Sequence, residues 1–362
     1  MANMNIGTPR FYVDHISYQL SRGAAQNGNF DVTATHAGNT LMGTFTTGSE
    51  AELFDMNPLN KVTFDTSADT DAHVLITINT GGTVRVSYIA ILNHNLATAV
   101  GKIRIFAGDA SSDVTAVDGA NADTADITWA DDTVTEIVNG DTTTAASNDK
   151  SVVIEPATDG STIVRFAEQT NRYWGIQFEG NTTNTGVATD GTWGSTDLFV
   201  GSICLGEIYE MPHSPDLSVT RSIAFDNVNV QESIGGKRYS NMVSSGRTAT
   251  STTSSPFSVA SEQGHIYGGR IIYDLNFSYM DSSDLMPAEY DSISTTDDSV
   301  VADIWNKTNG PGLPFIFSID KSSEGNDAES EHILARFANN SLDMTQVAND
   351  FWNVSMRIEE EF

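Results

Sequence analysis

The sequence predicts a mainly β protein in three parts. These are an extended N-terminal arm over residues 1–60, a jelly-roll-like β-sandwich over 61–211, and a second β-sandwich with one packed α-helix over 212–362. Three observations carry this. Short apolar runs rich in Val, Ile, Tyr and Phe alternate with polar residues, as half-buried strands do. Clusters of Gly, Asn and Asp separate them at the spacing of an antiparallel sandwich. The closing stretch FWNVSMRIEEEF keeps a period of two almost to the last residue, where an unsupported terminus would fray.

Taken in order, residues 1–60 hold few sustained patterns and are closely punctuated, as in RGAAQNGNFDVTATHAGNT, which reads as an arm lying on another surface. From residue 61 the runs KVTF, HVLITIN, TVRVSYIAIL, KIRIFAG, SVVIE, TIVRFA, RYWGIQFE and LFVGSICLGEIYE read as strands, with Trp174, Ile176 and Phe178 on one core face. Residues 108–150 interrupt them with ten acids and one lysine. Hard cations take several carboxylate ligands, so calcium is the alternative there to a plain solvated excursion. No D-x-[DN]-x-[DN]-G loop is present, and the expectation is no cofactor.

Two prolines in MPHSPDLSV place a domain boundary near residue 212. Beyond it, SVTRSIAFDNVNVQ, GGRIIYDLNFSYM, LPFIFSID, HILARFA and FWNVSMRI read as strands. Within DDSVVADIWNKTNGPG, Val300, Val301, Ile304 and Trp305 share a helical face. Asp297, Asp298 or Ser299 caps its start, and Gly310 and Pro311 stop it. In the last strand Trp352, Val354, Met356 and Ile358 point one way, and Glu359 and Glu361 fall at its edge.

A formal charge of −30, from 48 acids and 18 bases, repels nucleic-acid phosphates and anionic membranes, so neither is an expected partner. The start MANMNIGTPRF has no apolar core of a signal peptide, and no window approaches 18 consecutive apolar residues. The expectation is a soluble, unexported chain. Cys204, the single cysteine, lies in the apolar run LFVGSICLG and reads as a buried inert thiol.

Chemical motifs are sparse. There is no phosphate-binding glycine loop, no H-x-x-x-H or H-E-x-x-H pair among seven scattered histidines, and no G-x-S-x-G elbow. A glycosidase needs only two carboxylates flanking a sugar, which no linear pattern reveals. The candidate carbohydrate contacts are Asn93, His94 and Asn95 in ILNHNLATA, whose amide and imidazole groups both donate and accept, and Trp129 and Trp193, whose indoles suit stacking on a sugar ring. Each also has a plainer reading, which is preferred: the three polar groups satisfying backbone at a strand end, and the indoles packing under their own loops.

The order VSYIAILNHNL, KIRIFAGD, RYWGIQFEG, GSICLGEIYEMP resembles the discoidin or galactose-binding-like sandwich of tailed-phage tail proteins, over roughly residues 60–211. The C-terminal order of strand, helix, LPFIFSID, RFANNSLDM and a closing W-x-V-x-x-x-x-E-E resembles the ring-forming module of tail-tube and distal-tail proteins. In familiar distal-tail proteins the outer sandwich follows the ring module, whereas here it precedes it.

The resemblance implies a non-enzymatic virion protein at the tail tip or baseplate, assembled in the host cytoplasm. It implies a homo-oligomeric ring touching other tail proteins and host surface glycan, with Glu359 and Glu361 at a subunit joint. The alternatives are a carbohydrate-binding or depolymerising module and a neck or capsid-decorating protein.

Overall fold

The computed structural model describes residues 6–33, 42–68, 72–82, 84–114, 127, 134–139, 142–144, 150–181, 192–224, 228–242, 270–288, 298–325 and 331–361. The first strands are β1 (Arg10–Asp14), β2 (Phe30–Thr33), β3 (Phe45–Thr47), β4 (Val62–Phe64), β5 (Val74–Asn79), β6 (Val86–His94) and β7 (Gly101–Gly108). Then come β8 (Val134–Val138), β9 (Thr142–Thr144), β10 (Val152–Glu155), β11 (Gly160–Gln169), β12 (Tyr173–Gly180), β13 (Leu198–Val200) and β14 (Ser202–Glu210). The rest are β15 (Thr220–Ala224), β16 (Val228–Glu232), β17 (Arg238–Met242), β18 (Arg270–Asp281), β19 (Phe315–Ser318), β20 (His332–Phe337), β21 (Asp343–Ala348) and β22 (Phe351–Glu360). Short helices α1 (His15–Ser21), α2 (Leu96–Ala99) and α3 (Ser282–Leu285) fall between them.

The protein is mainly β, and its sheets are antiparallel. An 11-stranded sheet runs β15-β18-β22-β20-β19-β1-β14-β6-β11-β8, with β21 added on β22. A six-stranded sheet, β2-β5-β12-β7-β10-β9, packs on the β14-β6-β11 end, and β13-β4-β3 closes one side. Alternation places the cores. Along β6, Ile89 and Ile91 face Ile76, Ile105 and Trp174 of the smaller sheet, whereas Tyr88, Ala90 and Leu92 face the other side with Tyr12, Cys204, Ile316 and Leu334. A third cluster, with Phe11, Phe315, Phe317, Phe337, Val354, Met356 and Ile358, fills the C-terminal half.

The N-terminal arm is corrected. β1, RFYVD, is buried at every residue and is hydrogen-bonded on both sides, to β14 in the register Tyr12↔Ile208 and to β19 in the register Tyr12↔Ile316. β2 extends the smaller sheet through β5, and the turn at Glu50–Phe54 buries Leu53 and Phe54. A strand buried on both faces has no polar face to alternate with, so its five residues carry no period of two.

The same strand changes the meaning of the boundary near residue 212: it is a change of core within a continuous sheet. Along one face of β14, Ile203 and Leu205 belong to the sandwich core, Glu207 is ionic, and Tyr209 belongs to the C-terminal core.

The expected helix is a wide π-type turn of seven residues, Val300–Asn306. Val300, Val301 and Ile304 are buried, Trp305 packs beside Phe337 at a ring distance of 5.1 Å, and the Ser299 hydroxyl accepts the Ala302 N–H. Gly310, at φ +61°, ends it. α3 is a further short helix beside it. In β22, Val354, Met356 and Ile358 face inward with Trp352 at the margin, as the alternation requires.

Candidate functional site

Asn93, His94 and Asn95 form the end of β6 and the turn into α2, and all three are buried. The Asn93 Nδ2 donates to the Pro58 carbonyl at 2.6 Å, and Asn93 takes the left-handed φ of +55° that amide side chains tolerate. His94 Nδ1 accepts the Leu96 N–H at 3.2 Å, which puts the ring proton on Nε2, donating to Thr162 Oγ1 at 2.9 Å. Burial pushes the His94 pKa down to about 3. Asn95 Nδ2 donates to the Asp197 carbonyl at 2.8 Å and its Oδ1 accepts the Phe199 N–H at 2.7 Å. The preferred plainer reading therefore describes these three residues, and the carbohydrate alternative does not fit their burial. They hold three neighbouring segments in place and present no polar group outward.

Trp193 is also a framework residue. Its indole is 3% exposed and donates to the Ala72 carbonyl at 2.7 Å. The ring lies so close to Gly101 that a Cβ there would stand 2.4 Å from Trp193 Cζ3. Trp129 and most of the acidic segment 108–150 lie outside the described residues. Within that segment Asp113 accepts the Ala110 N–H at 2.7 Å, a local turn contact.

At the C-terminus Glu359 pairs with Arg357 at 3.3 Å and Arg270 at 3.8 Å, and Glu361 pairs with Arg336. Both acids are about one-third exposed and answered by arginines of their own chain. Glu360, between them, turns inward and accepts the Ile271 N–H at 2.9 Å.

Sequence reasoning missed the ionic clusters at the seam. On the face of Glu207, Arg85 reaches Glu207 at 3.3 Å, Asp303 at 3.0 Å and Asp298, while Lys307 bonds Glu207 and, at 3.0 Å, Asp303. Burial lifts the Glu207 pKa to about 7 against the pull of Lys307 and Arg85. For Lys307 burial opposes the charge, but Glu207 and Asp303 outweigh it and raise the pKa. On the opposite face Arg10 bridges Glu210 at 2.8 Å and Glu324 at 3.1 Å, and the Tyr12 hydroxyl meets His332 Nε2 at 3.1 Å. The participants come from positions 10 to 332, so no local pattern announces them.

Two surface features remain open to partners. The first is an edge. Among the described strands β15 pairs with β18 alone, and the hairpin β16–β17 pairs with no other. Leu217 (107%) precedes β15 and Ile223 (59%) lies on it, while Val230 (55%), Ile234 (111%) and Tyr239 (56%) belong to the hairpin, and all five stand exposed.

The second feature is a groove made of two recesses that share Arg22. One, of about 660 Å³, is lined by His15, Tyr18, Gln19, Asn29 and Thr80 among others. The other, of about 430 Å³, is lined by Trp305, Asn306, Asn309, Gly310, Pro311 and Asn340. Asn309 Nδ2 donates to Ser21 Oγ at 2.9 Å, tying the end of α1 to the turn beyond Asn306.

Fold and surface together define an antiparallel β protein with three apolar clusters packed on one large sheet, an edge left unpaired among the described strands, and a polar groove. No protein-family model, curated protein or solved structure was found to match the chain.

Proposed function

We propose that the protein is a structural component of a tailed-virus particle, working without catalysis as a homo-oligomer, as a ring at the tail tip or baseplate, against other tail proteins. The observation that carries the assembly part is the open side of β15, which pairs with β18 alone among the described strands, together with the separate β16–β17 hairpin. Unpaired strand edges are pairing templates that proteins normally blunt, and large apolar side chains collected at one are a contact surface. Burying Leu217, Ile223, Val230 and Ile234 against a neighbour would contribute roughly 6–12 kcal/mol. Association costs about 4–15 kcal/mol, so this surface supports assembly best when strand pairing, or a second joint in a closed ring, adds to it. The tail placement rests on the resemblance of the motifs and on the order of the strands.

Mass photometry of the full chain at micromolar concentration tests the assembly. The expected result is one discrete oligomer that the double variant Ile234→Ser, Tyr239→Ser returns to monomer. A wild-type protein that stays strictly monomeric, alone and with tail components, overturns it. Immunogold labelling of tailed particles from the source culture tests the placement, and label away from the tail end refutes it. A carbohydrate-binding module is the second reading, favoured by the amide-lined groove.

A further inference from the structure

We infer that the groove between α1 and the turn at Trp305–Pro311 binds a carbohydrate chain and holds an acidic sugar at Arg22. The inference deepens the second reading above, carbohydrate binding, on which it rests, and moves it away from the residues the sequence pointed to.

The lining chemistry is the first argument. Asn29 lies in one recess, and Asn306, Asn309 and Asn340 lie in the other. Each amide both donates and accepts, which matches hydroxyl groups that do the same. Among the described residues the lining contains no carboxylate, in a chain carrying 48 acids. A surface this acidic repels anions in general, so a stretch of it without acids is where an anionic ligand approaches with least opposition.

Arg22 is the second. It lines both recesses, is exposed, and its guanidinium stacks 5.1 Å above the Tyr18 ring. That stacking orients the fork and leaves its N–H groups for a bidentate carboxylate. His15 contributes no charge at neutral pH, because burial pushes its pKa down to about 4. Among the described residues of the lining Arg22 is therefore the cation.

Trp305 is the third. One side of the indole packs on Phe337, and its far edge lies over Gly310, where a Cβ would come within 3.2 Å of Cζ2. The half-buried indole lines the smaller recess beside Asn306, Asn309 and Asn340, which gives a sugar ring an aromatic surface to pack on. Each recess falls in the range of about 300–1,000 Å³ typical of ligand sites, so the pair suits a short oligosaccharide.

The test uses the full chain on an array of neutral glycans and of glycans containing uronic or sialic acids, followed by titration calorimetry with the strongest acidic hit. Acidic glycans are expected to bind above neutral ones. Arg22→Ala should weaken the hit by tenfold or more, Arg22→Lys should recover only part, and Asn340→Ala should weaken it several-fold. Arg22 and Asn340 are both exposed, so all three variants should assemble as wild type does in mass photometry. Absence of any glycan binding overturns the inference, and so does binding that Arg22→Ala and Asn340→Ala leave within twofold of wild type. Inorganic sulfate competing as well as the sugar would reduce the groove to a simple anion site and overturn it too. An oligomer that binds no glycan sinks the groove and leaves the structural reading standing. A monomer that binds through Arg22 does the reverse.

Discussion

Phe11→Ala tests the position of β1 directly. Phe11 has no exposed surface, and its ring lies 5.1 Å from Phe317, 5.5 Å from Phe315 and 6.2 Å from Phe337. Truncating a phenylalanine so enclosed removes its transfer free energy and leaves a cavity, about 3–5 kcal/mol in all. Its neighbours are themselves packed ring on ring, Phe315 against Phe337 at 4.8 Å, which limits collapse into the space and favours the upper part of that range.

The loss is not confined to one half of the protein, because β1 is the only strand bonded to both β14 and β19 in the described sheet. Urea unfolding followed by tryptophan fluorescence should show the full loss. Calorimetry should show a melting transition lowered by about 6–20 °C, at about 2–4 °C per kcal/mol for a unit of half the chain. It should also split into two, as the sandwich and the C-terminal core lose the strand that couples them. A residue of a peripheral arm would lose about 1 kcal/mol or less. A variant within that limit, melting in one transition at the wild-type temperature, refutes the seam.

Four further outcomes are expected. Deleting 351–362 removes Val354, Met356 and Ile358 from the C-terminal core; at about 1.5–3 kcal/mol each this approaches a domain's whole stability, so circular dichroism should show no cooperative C-terminal transition. The double variant Glu359→Gln, Glu361→Gln should stay folded, since both acids are partly exposed and such pairs contribute about 1 kcal/mol or less; a shift in its oligomer mass with salt would assign these acids to a joint, and no shift would remove them from one. Gly101→Ala should destabilise by about 1–3 kcal/mol, because its Cβ would meet Trp193 Cζ3 at 2.4 Å and Leu96 Cδ2 at 2.8 Å; an unchanged urea midpoint would show that the indole moves freely. The pH dependence has two opposed parts. His94, with its folded pKa lowered to about 3 from 6.5, makes the protein lose stability as pH falls below about 6.5, and His94→Gln should reduce that slope. Glu207, raised to about 7 from 4.5, contributes stability that is present below about pH 4.5 and is lost as pH rises through about 7; Glu207→Gln should remove that slope, and identical pH profiles of variant and wild type would contradict the assignment.

What the sequence determined by itself is whatever depends on local period and local chemistry. The mainly β class was legible because residues such as those of β12 and β22 alternate between an apolar core face and another, and that alternation is written in consecutive positions. The helical face of Val300, Val301, Ile304 and Trp305 and its stop at Gly310 were legible for the same reason, whereas the choice of Ser299 over Asp297 and Asp298 as its cap, and its π-type winding, were not. The burial of Cys204 was legible from its apolar neighbours.

Tertiary structure alone decided where β1 goes, because a strand buried on both faces is defined by its two partners, Ile208 and Ile316 opposite Tyr12, and these lie far along the chain. It settled between the two readings of Asn93, His94 and Asn95 in favour of the plainer one, with all three buried. A polar side chain reads alike whether it meets water, a sugar or the backbone of Pro58, Asp197 and Phe199. It alone assembled the groove, since Arg22, Trp305 and Asn340 have no relation in sequence and become neighbours only when α1 and the C-terminal turn pack on one sheet. Hydrogen bonds and ion pairs satisfy long-range geometry and leave no local period behind, so the architecture was written in the order of residues and the sites were made by folding.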